Sequence, residues 1–440
     1  MGKPLLLAIA PVQSQSGYGK HAADLVRCLI RLDKFDVKIW SIRWGSTPLN
    51  ALTPGKDDDL LTRLLPNPQL PKQPEIAFAV TIPAEFPQYA VGKFNIGVTA
   101  GIETTVCNPT WIEGLNRMDL NIVPSEHSKQ VFARSEFTKN DAQGKPIGYI
   151  KLGRPVEVIF EGADTNVYKR TENVAPVNDE MNSIPEDFCF LYVGHWLQGN
   201  LGADRKDVGM LIKVFLETFK NQATPPALVL KTSSATFSVL DRNEILNKIN
   251  QIKLMVGGKL PNVYLLHGQL TDDEMNSLNN HPKIKCAVTF THGEGFGRPL
   301  LEFSMCGKPI IASGWSGHTD FLDKDLSLLL PGKLVQVDPS AVNDFIIKEA
   351  QWFVADYTSA AQFLKQLYDN YSKFSSRSRK LMYQNKELYS LDQMQRKLNL
   401  ILNKYVPEFP EEVQLKLPIK KISLPKFTQG KMPVSGGLNA

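Results

Sequence analysis

Residues 285–322 read KCAVTFTHGEGFGRPLLEFSMCGKPIIASGWSGHTDFL, and within them Glu294 and Glu302 bracket a glycine-punctuated loop, Gly293 to Gly297. A carboxylate accepts hydrogen bonds from neighbouring hydroxyls, so a pair of them suits a polyhydroxylated ligand. Between them, Gly295, Phe296 and Gly297 form a loop whose backbone N–H groups can approach a phosphate closely, because glycine carries no Cβ. Pro299 sits where a first helical turn would begin, and its missing N–H has no partner to lose there. The end of such a helix adds roughly half a positive charge. Upstream, Arg205 and Lys206 precede an amphipathic run containing Leu211, Ile212, Val214 and Phe215, and His195 follows an apolar run at 190–194. Taken singly, each residue has a plainer reading. Glu302 could merely complement the helix dipole, Glu294 and Lys206 could be solvated charges, and His195 a packed polar residue. It is the combination in one short block that points to a phosphate flanked by sugars.

The elements that must position these residues are legible as apolar runs alternating with longer amphipathic segments. The runs are LLLAIA (5–10), DVKIWSI (36–42), IAFAVTI (76–82), FNIGVTA (94–100), LNIVP (120–124) and PVEVIF (155–160). After a break come FCFLYVG (188–194), ALVLKTS (227–233), VYLLHG (263–268), CAVTF (286–290), PIIAS (309–313) and a further candidate, LSLLL (326–330). Such alternation predicts parallel sheets flanked by helices. The break at 164–186 is polar and carries two prolines, so it reads as a hinge between units. The expected fold class is therefore α/β, with two Rossmann-like, doubly wound domains facing a cleft. The first domain spans residues 1–165, the linker 166–186 and the second domain 187–388. Residues 343–405 read as helical, and a basic, proline-rich tail, read as an extended or mobile arm, covers 406–440.

Ligands of such sheets gather at the strands' carboxyl ends. Residues Ala100 to Thr105 should therefore open into the cleft, which makes Glu103 a candidate acid there; its plainer role is a helix cap or a partner for Arg117. Gly17 and Gly19 precede an amphipathic helix carrying Ala22, Leu25, Val26, Leu29 and Ile30, and their plainer reading is a flexible turn. Ser125 reads as a helix N-cap, and Thr271 with Glu274 as a capping box.

At 440 residues, two domains are the natural expectation. Hydrophobic content of 42% and charged content of 22% are those of a globular protein. No apolar run approaches the roughly 18 residues that a membrane helix needs. Leu5 to Ala10 reads as a first strand rather than a signal sequence. Five scattered cysteines without a CxxC pair suggest reduced thiols, hence a cytoplasmic location, and argue against a zinc site. The balance of 50 basic to 45 acidic residues suits anionic ligands without deciding anything.

The block from Glu294 to Glu302 resembles the Glu-x7-Glu signature of retaining, nucleotide-sugar-dependent glycosyltransferases of the GT-B fold, in particular glycosyltransferase family 4. The resemblance extends over most of the chain to about residue 320, through the Gly17/Gly19 loop, VPSEHSKQVF (123–132), Gly162 and Asp164 before the second domain, Arg205-Lys206, and the turn LHGQLTDDE (266–274). It implies that Glu294 lies by the donor sugar, Gly295 to Gly297 and the Arg205-Lys206 pair by the diphosphate, Glu302 on the ribose, and the 266–274 turn by the base. It further implies that residues 389–405 cross back as a helix onto the first domain, and that GWSGH (314–318) closes the sugar pocket. The implied reaction moves a hexosyl or pentosyl group from a UDP- or GDP-sugar to a hydroxyl, with retention, without a metal and without a permanently bound cofactor. Glu294, Lys206 and Glu103 would be its catalytic residues. Implied acceptors are a glycan or glycolipid, with a modified base of viral DNA as an alternative. Two departures stand out. His195 occupies the place of an arginine, and no histidine stands near Glu103, so a catalytically silent nucleotide-sugar-binding protein is the competing expectation.

Overall fold

The computed structural model describes residues 2–234 and 237–410. Its first half is a six-stranded sheet. The strands are β1 (Leu5–Ala10), β2 (Asp36–Ser41), β3 (Ile76–Val80), β4 (Phe94–Val98), β5 (Leu120–Val123) and, after a hairpin of β6 (Glu136–Asn140) and β7 (Pro146–Lys151), β8 (Val156–Val158). They pair all in parallel in the order β2-β1-β3-β4-β5-β8. Every residue of β1 and β3 is buried, as strands covered by helices on both faces must be.

The second half repeats the plan with β9 (Cys189–His195), β10 (Ala227–Ser233), β11 (Val263–Leu266), β12 (Ile284–Val288), β13 (Ile310–Ser313) and β14 (Leu328–Leu330). Their order is β11-β10-β9-β12-β13-β14, again parallel throughout. The strand order reverses between β1 and β3 in one sheet and between β9 and β12 in the other. Those are the points where such sheets open a ligand crevice at their carboxyl ends.

Two segments differ from expectation. Residues 343–405 are not uniformly helical: β16 (Gln351–Ala355) pairs antiparallel with β15 (Gly332–Gln336), and helix begins only at Tyr357. The run Trp352-Phe353-Val354 is bulky and β-branched, and Trp352 seals a small apolar cluster with Val337, Ala341, Ile346 and Ala350. The β6–β7 hairpin lies in a stretch not read as strand at all. The segment 164–186, read as the hinge, buries Tyr168, Val177, Met181 and Ile184. Side-chain amides of Asn276 and Asn280 accept the backbone N–H groups of Lys169 and Thr171, at 3.1 Å each.

The helix Leu391–Tyr405 crosses back and packs against the helix Gly17–Leu32. The chain reaches it through a bridge between Ala163 and Ser390, and only glycine fits at 162, where a Cβ would lie 2.8 Å from Leu391 Cα. Met394, Leu398, Ile401 and Leu402 form its buried face, and Lys404 pairs with Glu157 at 2.8 Å. The expected basic tail lies, from residue 411 onward, outside the described residues. Among the described residues no helix is long and apolar enough to cross a membrane, and the five cysteines are buried and free.

Candidate active site

A cavity of about 690 Å³ opens at the carboxyl ends of both sheets. Its first-half wall comes from the start of the Gly17–Leu32 helix, the β2 and β4 ends and the β8 end. Its second-half wall comes from the ends of β9, β10 and β12 and the 294–299 loop. Lys206 and Pro299 therefore share one crevice.

Lys206 is the hinge of the charge arrangement. Its Nζ lies 2.6 Å from Glu294 Oε2 and 3.4 Å from Glu103 Oε1, while Arg205 also pairs with Glu103. Glu103 thus serves neither as a helix cap nor as a partner of Arg117. Burial alone would raise its pKa, but Arg205 and then Lys206 overcome that and hold the carboxyl below its usual range. Two cations and two carboxylates form a neutral quartet that joins the halves.

The glycine loop has two duties. Gly293 and Gly295 let it press on the first half: a Cβ would lie 2.1 Å from Glu103 O at the first and 2.0 Å from Ala100 O at the second. Ser125, the N-cap of the Glu126–Arg134 helix, donates to Gly295 O at 2.6 Å. Gly297 adopts φ +93°, open to glycine at little cost, and caps the short helix Arg298–Ser304. Among the described residues nothing accepts the N–H groups of Gly295, Phe296 or Gly297, and all three residues line the cavity. Unpaired backbone donors next to Lys206 are the features an anion needs. The GWSGH segment supports the loop from behind, where Ser316 Oγ accepts from Glu294 N at 2.8 Å and Gly317 N donates to Glu294 O at 2.9 Å.

Not every expected site residue reaches the cavity. Gly17 lines it, but Gly19 does not; a Cβ there would lie 2.2 Å from Ser14 O, so its role is tight packing inside the first helical turn. Glu302 is also off the wall. It is 9% exposed, accepting from Lys20 Nζ at 3.1 Å and Arg298 Nε at 2.9 Å, and Arg298 in turn lies 2.7 Å from Asp24. Lys20 also pairs with Asp272 at 2.6 Å, which completes a second ionic lock between the halves. The expected base turn, 266–274, likewise contributes nothing to the wall. Lys231, Thr232, Ser233 and Phe237 occupy that side, and Lys231 donates to Gly268 O at 2.6 Å.

His195 faces the cavity with Nδ1 3.3 Å from Ser233 Oγ. Desolvation in the cleft, with the charge of Arg205 nearby, lowers its pKa, so near neutrality it offers a hydrogen bond and not a charge. The missed residues carried faint signals. Lys231 is the one charge in the apolar run ALVLKTS, and Trp44 and Glu161 follow the ends of strands at the cleft mouth.

Glu161 is buried, lines the cavity and has no hydrogen-bond or ionic partner among the described residues. Burial, offset in part by Arg298 and reinforced by Glu302, Asp24 and Glu294, pushes its pKa from 4.5 up to about 7. The folded state thus holds this proton more tightly than the unfolded chain does. Below about pH 4.5 both states are protonated and nothing is gained or lost; as pH rises through about 7 the folded state loses about 3 kcal/mol relative to a neutral side chain. Glu161→Gln should therefore unfold at a higher temperature than the parent above about pH 7, with the gap closing toward about pH 5. A pH-independent gap in thermal melts would contradict this.

No family model matches the sequence, and no curated protein matches it. Solved structures do. HepE of Anabaena, in complex with UDP and glucose, is 14% identical with a TM-score of 0.58, covering 91% of this chain and 100% of that one. Sucrose-phosphate synthase from Thermosynechococcus elongatus is 12% identical, TM-score 0.60, over 91% and 99% of the two chains. A glycosyltransferase from Rickettsia africae is 12% identical, TM-score 0.61, over 93% and 100%. The fold is GT-B. Two Rossmann-like units of six parallel strands face a cleft, as the alternation of apolar and amphipathic segments implied. Groups of three or more histidine, cysteine, aspartate or glutamate residues able to hold a metal ion do not occur among the described residues. Asp-x-Asp triplets at 57–59 and 323–325 stand apart from the cavity wall.

Proposed function

We propose that the chain is a glycosyltransferase that moves a hexosyl or pentosyl group from a UDP- or GDP-sugar to a hydroxyl, with retention and without a metal, in the manner of family 4. One observation carries this reading: the charge of the cavity is divided. Arg205, Lys206, Lys231 and Arg298 all lie on the second-half wall, beside the three unpaired loop N–H groups, and the first-half wall has no cation. A diphosphate fits the former. As the anomeric C–O bond to the diphosphate breaks, Lys206, Arg205 and the loop donors stabilise the charge growing on the leaving oxygen. The acceptor oxygen bonds to the anomeric carbon, and its proton passes to the departing phosphate. Glu294 lies by the sugar, held there by Lys206. Glu302 reaches a ribose only once the Gly17–Leu32 helix moves off it, because Lys20 of that helix occupies its carboxylate. Closure about the 164–186 segment keeps water out of the reaction.

In the neutral quartet, Glu103 competes with the diphosphate for both cations. Glu103→Gln should bind UDP about fivefold more tightly while transferring sugar more slowly, because the bridge between halves is weaker. Calorimetric titration with UDP checks it, and weaker binding would contradict it. The silent-binder alternative is separated by incubating the protein with UDP-glucose, UDP-N-acetylglucosamine and GDP-mannose. Release of the nucleoside diphosphate from at least one donor is the expected result; tight binding with no release from any would favour the alternative.

A further inference from the structure

Residues Asp204-Arg205-Lys206-Asp207 form a tight turn, closed by Asp207 N donating to Asp204 O at 2.8 Å. The two cations line the cavity, whereas the acids on either side of them are buried, 1% and 0% exposed. Asp204 has a plain task. Its carboxylate accepts the Val208 and Gly209 N–H groups at 3.0 and 3.4 Å, and so caps the helix Val208–Phe219. Asp207 has no such task. It immediately precedes that helix, yet its side chain caps nothing. Its backbone is left-handed, with φ +51° and ψ 38°, a conformation in which side chains are rarely at ease. Stability alone would favour glycine at 207, which takes that backbone freely and buries no carboxyl. A strained residue of this kind persists only where its surroundings fix it, and such residues gather at working sites.

What fixes Asp207 is Tyr357. Its hydroxyl donates to Asp207 Oδ2 at 2.8 Å, and among the described residues Oδ1 has no partner. Burial, offset in part by that hydrogen bond and reinforced by Asp204, pushes the Asp207 pKa from 3.8 up to about 8. Near neutrality the side chain is therefore an uncharged acid whose carbonyl oxygen accepts from Tyr357. Tyr357 lies two residues beyond β16, and β16 holds the same turn a second time, through His292. The His292 ring stacks on Trp352, centroids 4.2 Å apart and planes at 19°, with Nδ1 2.7 Å from Phe353 O. The His292 N–H donates to Arg205 O at 3.1 Å. At its start β16 is clasped to the first half, where Thr105 N donates to Gln351 O and Gln351 N to Thr105 Oγ1, at 2.9 Å each.

We propose that Asp207 is a positioning residue for the transfer reaction: moored by Tyr357, its left-handed backbone sets the turn that presents Arg205 and Lys206 to the leaving diphosphate. The inference rests on the donor placement above. Charge growing on a leaving oxygen is stabilised by cations already in place, and small misplacements there cost rate more than affinity. With the mooring cut, Lys206 keeps its pairs with Glu103 and Glu294, but the turn follows those carboxylates instead of being set by β16.

The test compares Asp207→Gly, Tyr357→Phe, their double variant, Asp207→Asn and Lys206→Ala in the full chain. Each is assayed with whichever of UDP-glucose, UDP-N-acetylglucosamine and GDP-mannose the parent turns over, and each is melted thermally. Asp207→Gly and Tyr357→Phe should each lower kcat about tenfold while KM stays within about twofold. Asp207→Gly should melt no lower than the parent, which separates its loss of rate from a loss of fold. The double variant should be no slower than either single one, because both cut the same tether. Asp207→Asn keeps an acceptor oxygen and tolerates the left-handed backbone, so it should retain kcat within about twofold. Parent kcat in both single variants, with or without a lower melting temperature, would overturn the proposal. So would losses that multiply in the double variant, or an Asp207→Asn as slow as Asp207→Gly. If Lys206→Ala is inactive while both single variants keep the parent kcat, this inference alone falls. Full turnover by Lys206→Ala, or none by the parent with any donor, would bring down the donor reading and this inference with it.

Discussion

Lys206→Ala should lower kcat/KM for nucleotide-sugar turnover by about two to three orders of magnitude and leave the fold intact. The side chain is 10% exposed and bridges Glu294 at 2.6 Å and Glu103 at 3.4 Å, so it is the cation held most centrally in the cleft. On the proposed reading its charge meets the oxygen on which negative charge grows as the diphosphate leaves, an interaction stronger in the transition state than in the bound donor. Most of the loss should therefore fall on kcat. The stability cost is small, because Arg205 still pairs with Glu103 and Glu294 retains access to cavity solvent. Steady-state kinetics with the best donor and a thermal melt decide it. Unimpaired turnover would remove Lys206 from the chemistry.

Gly295→Ala should destabilise the protein by about 3 kcal/mol and abolish transfer. A Cβ at this position would lie 2.0 Å from the carbonyl oxygen of Ala100, and the neighbouring Gly317 has the same constraint, its Cβ falling 2.1 Å from Gly295 O. Both partners are backbone, so no side chain can rotate aside. Relief would require the loop to withdraw from the end of β4, which breaks the 2.6 Å bond from Ser125 and carries the unpaired N–H groups away from Lys206. Gly17→Ala is the matched control: nothing lies within 4 Å of its Cβ, it begins a helix, and alanine there should be neutral or stabilising by about 0.5 kcal/mol. Urea unfolding of the two variants gives the comparison. Equal stability would mean that the halves do not approach as closely as Ala100 and Gly295 require.

Much of the architecture was legible because it depends on local pattern. LLLAIA and ALVLKTS are strands residue for residue, and the Thr271–Glu274 capping box forms as its spacing required. Buried parallel strands read as apolar runs because helices cover both faces. The β6–β7 hairpin was not legible for the converse reason. EFTKN and PIGYIK are mostly exposed, with only Phe137 and Ile150 packed against the core, too few to impose a visible alternation. In the site, the 294–299 loop was legible from residue type and spacing and Lys206 from the family resemblance, and both line the cavity. Glu302 did not reveal its role, because Lys20, which occupies its carboxylate, lies 282 positions away. Gly19 carries the signature of a phosphate loop yet is needed for contact with Ser14, and nothing local to the sequence separates those uses. Glu161 stood in a stretch read only as a boundary, and its burial and want of a partner are properties of the assembled cleft.

The ionic locks explain why such distant partners matter. Lys20 with Asp272 and Glu302, Arg298 with Asp24, and the Lys206 quartet all join one half to the other, so ligand entry and lobe closure draw on the same side chains. Of these the Arg298–Asp24 pair is the most buried, and a pair of that kind gains little net stability but costs a great deal when one partner is removed.

A crystal structure of the protein with UDP tests the central claim most directly. The account predicts diphosphate density between Lys206 and the N–H groups of Gly295 to Gly297, with a phosphate oxygen within about 3 Å of Lys206 Nζ. It also predicts that Glu103 is displaced from that cation. UDP bound elsewhere, or the quartet intact beside an occupied site, would contradict it.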